Sequence, residues 1–501
     1  MRLRAPAVVA IAISACLSAC GTTVSVTGSG TTSATGNLSV GSQQTSGVAG
    51  PDNGATTLPG TPANGSTPIA PVDGSGIGTS GSGSSPATAG SSQLPPPVAV
   101  KPSAPITIGI LTLKNTQGAP GLGSFHDVPL INPPNIYNAV IGYLNARGGF
   151  GGHKIKPVYY QMDIVNTDPT SQEQAACATF TQDHHVSFVL SDRAPNDEIV
   201  ASCLARAHVP LIFDFPGYFG SWEFTKYAGY LYAPSQPTAE TTLWNWSLAL
   251  GPMGYFGKTP KVGIVIPPGP HAVDDVKRAV EPALARQGLK LADTVSYGET
   301  SSAPANVQNA VLRFKAEGIT HVLMMDATGW GITLLFMEDA QSQNYFPRYA
   351  LNSANSPDFL RQNVPQQQLR GSMGISWLPL VDVGPTAVPP DNASARQCMA
   401  AVHTAGLSVP DQTTKSVMVW FCSLVQFLKA ALDAAPAASV PAFQAAIAGL
   451  GASWSSARLG PTKFGSGIYA GGDGFYDITY DSSKQYFVRV DPQLHTMQPL
   501  P

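Results

Sequence analysis

The sequence predicts an α/β protein of two doubly wound lobes, each a parallel sheet covered by helices, carried behind an export leader and a long spacer. Three observations lead there. From residue 106 onward, short β-branched and apolar runs alternate with helical stretches, as parallel strands buried on both faces do. The same series restarts at residue 261, and the roughly 400 residues from 105 to 501 exceed what one hydrophobic core holds. Residues 21–104, by contrast, are mostly Gly, Ser, Thr, Ala and Pro, with Asp52, Asp73 and Lys101 as their only charges. They are too poor in large apolar groups to offset the entropy of ordering.

In chain order, Arg2 and Arg4 precede a small, apolar run over 5–17, the layout of a secretory signal. The run is shorter than the roughly 20 residues a membrane span needs, which disfavours a retained anchor. Its ending, Leu17-Ser18-Ala19-Cys20 followed by Gly21, resembles the lipobox of bacterial lipoproteins. That resemblance implies removal of residues 1–19, diacylation of Cys20, and a protein tethered to the outer face of the cytoplasmic membrane. The spacer, 20–104, reads as a flexible coil with an end-to-end distance of roughly 50 Å.

Besides Cys16 in the leader and Cys20, four cysteines remain, and four allow three pairings. They fall in two well-separated sets, which favours disulfides joining Cys177 with Cys203 and Cys398 with Cys422. No Cys-x-x-Cys spacing or nearby His pair supports a metal site. The net charge is −3, more negative once Arg2 and Arg4 are removed, and no basic stripe stands out, which argues against a nucleic-acid partner.

The first strand is expected at 106–111, rich in β-branched residues. Pro133-Pro134 then opens a helix with Ile136, Val140, Tyr143 and Leu144 on one face, and Gly148-Gly149 ends it. Further strands are expected at 156–160, 186–190 and 210–213. The second series runs strand 261–266, helices 273–287 and 304–317, strand 321–325 and helix 331–341. The stretch 416–428, with Trp420, Phe421 and Phe427, is too short for a membrane span and reads as a buried helix of the first lobe. Ligands of such sheets sit at the carboxyl ends of strands. That rule points to the loops beginning at Leu111, Leu190, Phe213, Met325 and Leu351.

Asn145-Ala146-Arg147-Gly148-Gly149-Phe150-Gly151-Gly152-His153-Lys154-Ile155, with a strand ending at Asp163, resembles a glycine-rich turn of the substrate-binding proteins of branched-chain amino acid ABC transporters. Residues 261–287 resemble the opening of that family's second lobe, and 306–325 its helix and central strand. Cys177 and Cys203 bracket a strand where the family often carries a disulfide. The resemblance implies a type I periplasmic-binding-protein fold: two α/β lobes joined by three crossovers, near 232–236, 375–378 and 460–464. Lobe one would be 105–235 plus 376–459, and lobe two 236–375 plus 460–501. Such lobes close on a small molecule and hand it to a membrane permease.

In family members that bind amino acids, small hydroxyls and backbone N–H groups of lobe one hold the α-carboxylate and α-ammonium. An acidic residue of lobe two completes the ammonium site. Here the first matching loop, Ser191-Asp192-Arg193, keeps one small hydroxyl. The second carries Phe215, Tyr218, Phe219 and Trp222 where amino-acid binders are rich in Ser and Thr. In lobe two, Asp326, Thr328 and Trp330 follow the central strand, and Asn352 and Ser353 occupy the region of the expected acidic partner. These residues, Phe219 excepted, form the candidate ligand site. They favour a small apolar or aromatic molecule, with a carboxylate for Arg193 to clamp, over a free branched-chain amino acid.

Asp183-His184-His185 reads as a solvated helix end, because consecutive histidines do not share a helix face. Gly471-Gly472-Asp473-Gly474 reads as a tight hairpin turn without the ligand pattern of a calcium loop. No nucleophile elbow, dinucleotide fingerprint or His-Glu-x-x-His site occurs. The expectation is therefore a monomeric solute-binding lipoprotein, not an enzyme and without cofactor or metal, partnered by permease subunits. The alternatives are a ligand-sensing receptor lipoprotein without a transporter, and a surface hydrolase.

Overall fold

The structure, a computed structural model, describes residues 104–114, 132–163, 168–195, 197–299 and 302–501. The leader 1–19, the lipidation site Cys20 and the spacer up to residue 103 lie outside the described residues.

Five strands form the first sheet: β1 (Ile106–Leu113), β2 (Ile155–Met162), β3 (Phe188–Ser191), β4 (Leu211–Phe213) and β5 (Leu231–Tyr232). All pair in parallel, in the order β2-β1-β3-β4-β5. The turn that carries the family resemblance sits between the first helix and β2. Helix Pro133–Asn145 buries Ile136, Tyr137, Val140, Ile141 and Leu144. Gly148 and Gly149 then take positive φ, and a Cβ on Gly149 would stand 2.2 Å from the His153 carbonyl oxygen, so only glycine fits. Asn145 brackets the start of β2: its amide donates to the Ile155 carbonyl at 3.0 Å and accepts the Ile155 N–H at 2.9 Å.

The second sheet contains β6 (Val262–Ile266), β7 (Leu291–Ser296), β8 (His321–Met324), β9 (Arg348–Asn352), β10 (Met373–Ser376), β11 (Gly474–Asp481) and β12 (Tyr486–Arg489). Its order is β12-β11-β10-β9-β8-β6-β7, and β13 (His495–Thr496) pairs with β11. Strands β6 to β10 are parallel, as the strand–helix alternation predicts. The edge differs: β11 runs antiparallel to both β10 and β12. A hairpin needs no crossover helix, so these strands leave no alternation to read. Its inward residues Ile478, Tyr480 and Phe487 close the second core.

Helices Ala393–Thr404, Gln412–Ala434 and Val440–Gly449 pack on the first sheet despite their distance in sequence, sharing one core with Ile108, Ile110, Phe188 and Leu190. Gln412–Ala434 is 23 residues long and apolar enough to cross a membrane, yet Val419, Leu424, Val425, Phe427 and Leu428 are fully buried in that core. Both expected disulfides are present, Cys177–Cys203 and Cys398–Cys422. The first joins the helices flanking β3, and the second joins two of the distant helices.

The chain leaves the first sheet after β5, returns to its core after β10, and leaves it for good only after residue 470, since Phe464 and Tyr469 still pack on the first sheet. The turn expected at 471–474 lies instead at 465–468, where Gly465 pairs with Ile468. Residues 470–472 run extended beside the first connection: the Gly471 N–H donates to Ala233 at 2.9 Å and the Gly472 N–H to Gln236 at 3.0 Å. A Cβ on Gly472 would come 2.6 Å from the Pro237 nitrogen, so close backbone approach is what requires glycine there. His184 and His185 are exposed at a helix end, as expected.

Candidate functional site

The carboxyl ends of β1, β3 and β4 lie side by side and form one wall. Thr112, near the end of β1, is fully buried and donates its hydroxyl to Asp192 Oδ2 at 2.5 Å. The Tyr137 hydroxyl donates to the same oxygen at 3.5 Å. Burial pushes the Asp192 carboxyl up to about 7, against the opposing pull of Thr112 and the Arg193 guanidinium. Ser191 spends its hydroxyl within its own loop, accepting from the Arg193 N–H at 3.2 Å and donating to the Arg193 carbonyl at 3.1 Å. Burial also works against the Arg193 charge, which Asp192 and Glu173 favour. Its Nε–H is buried and meets no acceptor among the described residues.

After β4 comes the aromatic loop. Phe219 packs on Phe213 with ring centroids 4.5 Å apart, and Glu223 accepts the Gly220 N–H at 2.7 Å, so the loop is anchored at its far end. Phe215 lies against Trp420 of helix Gln412–Ala434, centroids 5.7 Å apart. It also reaches the second lobe, where a Cβ on Gly329 would touch its ring at 3.0 Å. Tyr218 crosses as well: its hydroxyl accepts from Asn352 Nδ2 at 2.9 Å. At the rim, Trp222 stacks on His271 with centroids 3.9 Å apart, and the Ser221 hydroxyl donates to Glu240 at 2.6 Å. The indole N–H groups of Trp222 and Trp420 are buried without an acceptor among the described residues.

The opposite wall, from β8 and β9, is built differently. Asp326 is fully buried, and both its oxygens are taken. Oδ1 accepts the Thr328 N–H at 2.8 Å and hydroxyl at 2.6 Å; Oδ2 accepts the Thr333 N–H and hydroxyl, each at 2.8 Å. Burial raises its pKa while these donors oppose the rise. Asn352 accepts the Ala354 N–H at 2.9 Å, and Asn355 accepts the Asn352 N–H at 2.7 Å. Ser353 donates to the Asp382 carboxylate and accepts the Trp377 N–H at 2.9 Å. Trp330 packs on Phe359, centroids 4.8 Å apart, and Thr328 is exposed.

The structure thus brings Phe215 and Tyr218 against Gly329 and Asn352, and keeps Ser191, Asp192 and Arg193 together in one loop. It turns Ser353 away to Asp382 and sets Trp222 on His271 at the rim. Sequence reasoning missed Thr112, Tyr137, Trp420 and His271. Trp420 had a signal: it stands in the aromatic-rich stretch 416–428 that the sequence assigns to a helix of the first lobe.

No protein-family model and no curated protein sequence matches the chain. Solved structures do. A branched-chain amino acid ABC transporter protein from Thermus thermophilus with bound valine is 14% identical, with a TM-score of 0.57, covering 80% of this chain and 98% of that one. A solute-binding protein from Rhodopseudomonas palustris in complex with p-hydroxybenzoic acid is 15% identical, with a TM-score of 0.56 and coverage of 79% and 98%. A type 1 periplasmic binding protein from Bordetella pertussis is 14% identical, with a TM-score of 0.56 and coverage of 79% and 100%. The fold is that of the type I periplasmic binding proteins, which these ABC-transporter substrate-binding proteins share.

Proposed function

We propose that the chain captures a small aromatic or apolar carboxylate between its lobes and delivers it to an ABC importer, from a lipid anchor on Cys20 at the outer face of the cytoplasmic membrane. Lobe one is 105–235 plus 376–459, and lobe two is 236–375 plus 460–501. The protein acts as a monomer without cofactor or catalysis, with permease subunits as partners and no nucleic acid. One observation carries the choice of ligand. Among the described residues, Arg193, Trp222 and Trp420 each hold a buried N–H without an acceptor, whereas the carboxylate of Asp326 is saturated by Thr328 and Thr333. Unmatched donors suit a carboxylate, and a saturated acid gives an ammonium no partner. The rings of Phe215, Tyr218 and Trp420 suit a flat or apolar body. A solved fold neighbour holding p-hydroxybenzoic acid is in keeping with this reading.

A thermal-shift panel tests it, because a ligand at one hundred times its dissociation constant stabilises by about 2.7 kcal/mol. Aromatic carboxylates should raise the melting temperature, and leucine, isoleucine and valine should leave it unchanged. The reverse pattern would sink the proposal.

A further inference from the structure

The three connections between the lobes meet at one buried polar cluster that extends to the cleft. Asp214, the residue after β4, is fully buried; its carboxylate accepts the Gln236 amide at 2.9 Å and the Ser235 N–H at 3.2 Å, both from the first connection. Gln236 in turn accepts the Trp377 indole N–H at 2.9 Å from the second connection. Arg458, at the head of the third, is 3% exposed. Its guanidinium stands 3.4 Å from the Asp214 carboxylate and donates to the Asp214 carbonyl at 2.5 Å. Ser456, two residues earlier, shares hydrogen bonds with Ser235 at 2.7 Å and Ser423 at 2.8 Å. The same guanidinium lies 5.3 Å from the centre of the Trp420 ring. Trp420 packs on Phe215, the sequence neighbour of Asp214 and the ring that meets Gly329.

A guanidinium keeps its charge when buried, and removing one partner of a buried pair leaves an uncompensated charge. Such a pair tolerates few arrangements of the groups around it. Here those groups come from all three connections and from the aromatic wall of the cleft. We propose that Arg458 is a positioning residue coupling the cleft to the hinge: held by Asp214, it fixes Trp420 and Phe215 relative to the three connections, so that the aromatic wall and the connections move as one unit. The inference rests on the interlobe cleft being the binding site, but its test needs no ligand.

Gln236→Ala removes the side chain that joins Asp214 to Trp377 and leaves the ion pair in place. Hydrogen exchange on the full ligand-free chain should show amides of 214–220 and 376–380 exchanging about tenfold faster, with β6 and β8 at wild-type rates. Arg458→Gln should act more strongly at the same segments, and Arg458→Lys, which keeps the charge without the planar fork, should restore part of the protection. Acceleration confined to 376–380 in Gln236→Ala overturns the coupling. So does equal acceleration of β1, β3, β6 and β8 in every variant, the mark of a merely structural role. A chain that binds none of the panel ligands would sink the capture reading alone, and the exchange rates would still decide this one.

Discussion

The two walls of the cleft use their polar groups in opposite ways. On the second-lobe wall, Asp326, Asn352, Ser353 and Asn355 are buried and bonded to their own chain. On the first-lobe wall, Arg193, Trp222 and Trp420 hold donors that the described residues leave unmatched. A buried polar group is normally satisfied, so saturated groups hold a wall in shape while unmatched ones leave donors open to water or to a ligand. The first wall also has other supports. Both disulfides and the helix Gln412–Ala434 belong to its lobe, whereas the second wall depends on the hydrogen bonds of its own loops.

The sharpest way to break this comparison is Asp326→Ala. It leaves four donors of Thr328 and Thr333 without their charged acceptor, and should lower the unfolding free energy by about 4 kcal/mol, read by urea denaturation. A loss below about 1 kcal/mol would mean that the acid does not hold the wall. Next in size, replacing Cys177 and Cys203 by Ser opens a covalent loop of sequence separation 26 and should cost about 3 kcal/mol in the same assay.

The pH dependence reads the buried acids behind both walls. Asp192 titrates near 7 when folded and near 4 when unfolded, so between those values the folded chain holds a proton that the unfolded chain releases. Stability is then fully present below about pH 4 and falls as pH rises towards 7, by at most about 1.4 kcal/mol per unit for this group. Asp382, also raised to about 7 by burial, adds a fall of the same sign. Asp192→Asn should make the fall between about pH 4 and 7 less steep in chemical denaturation, with the Asp382 contribution remaining; an unchanged slope would refute the assignment. The smallest effect expected is that of Ser191→Ala. Its hydroxyl serves the Arg193 backbone, so the variant should lose about 1 kcal/mol of stability while ligand affinity stays within about twofold.

Much of the frame was legible because β1, β3, β4, β6 and β8 are short apolar runs between helices, a pattern set by burial on both faces. The edge strand β7 was not, since Leu291–Ser296 is half polar and largely exposed, and β5 has only two residues. The site was legible only as a set of loops. Asp326 looks like an open acid in the sequence, but Thr328, two residues on, offers a local turn that binds it, and Thr333, seven on, fills the other oxygen. Arg458 carries no local signal at all, because its partner Asp214 lies 244 residues away.

Calorimetric titration of the wild-type chain and Arg193→Gln with 4-hydroxybenzoate and with leucine, at pH 7, tests the assignment of ligand recognition to the first wall most directly. The expected result is micromolar binding of 4-hydroxybenzoate, weakened about tenfold in Arg193→Gln, and no binding of leucine at millimolar concentration. Micromolar leucine binding that Arg193→Gln leaves unchanged would contradict it.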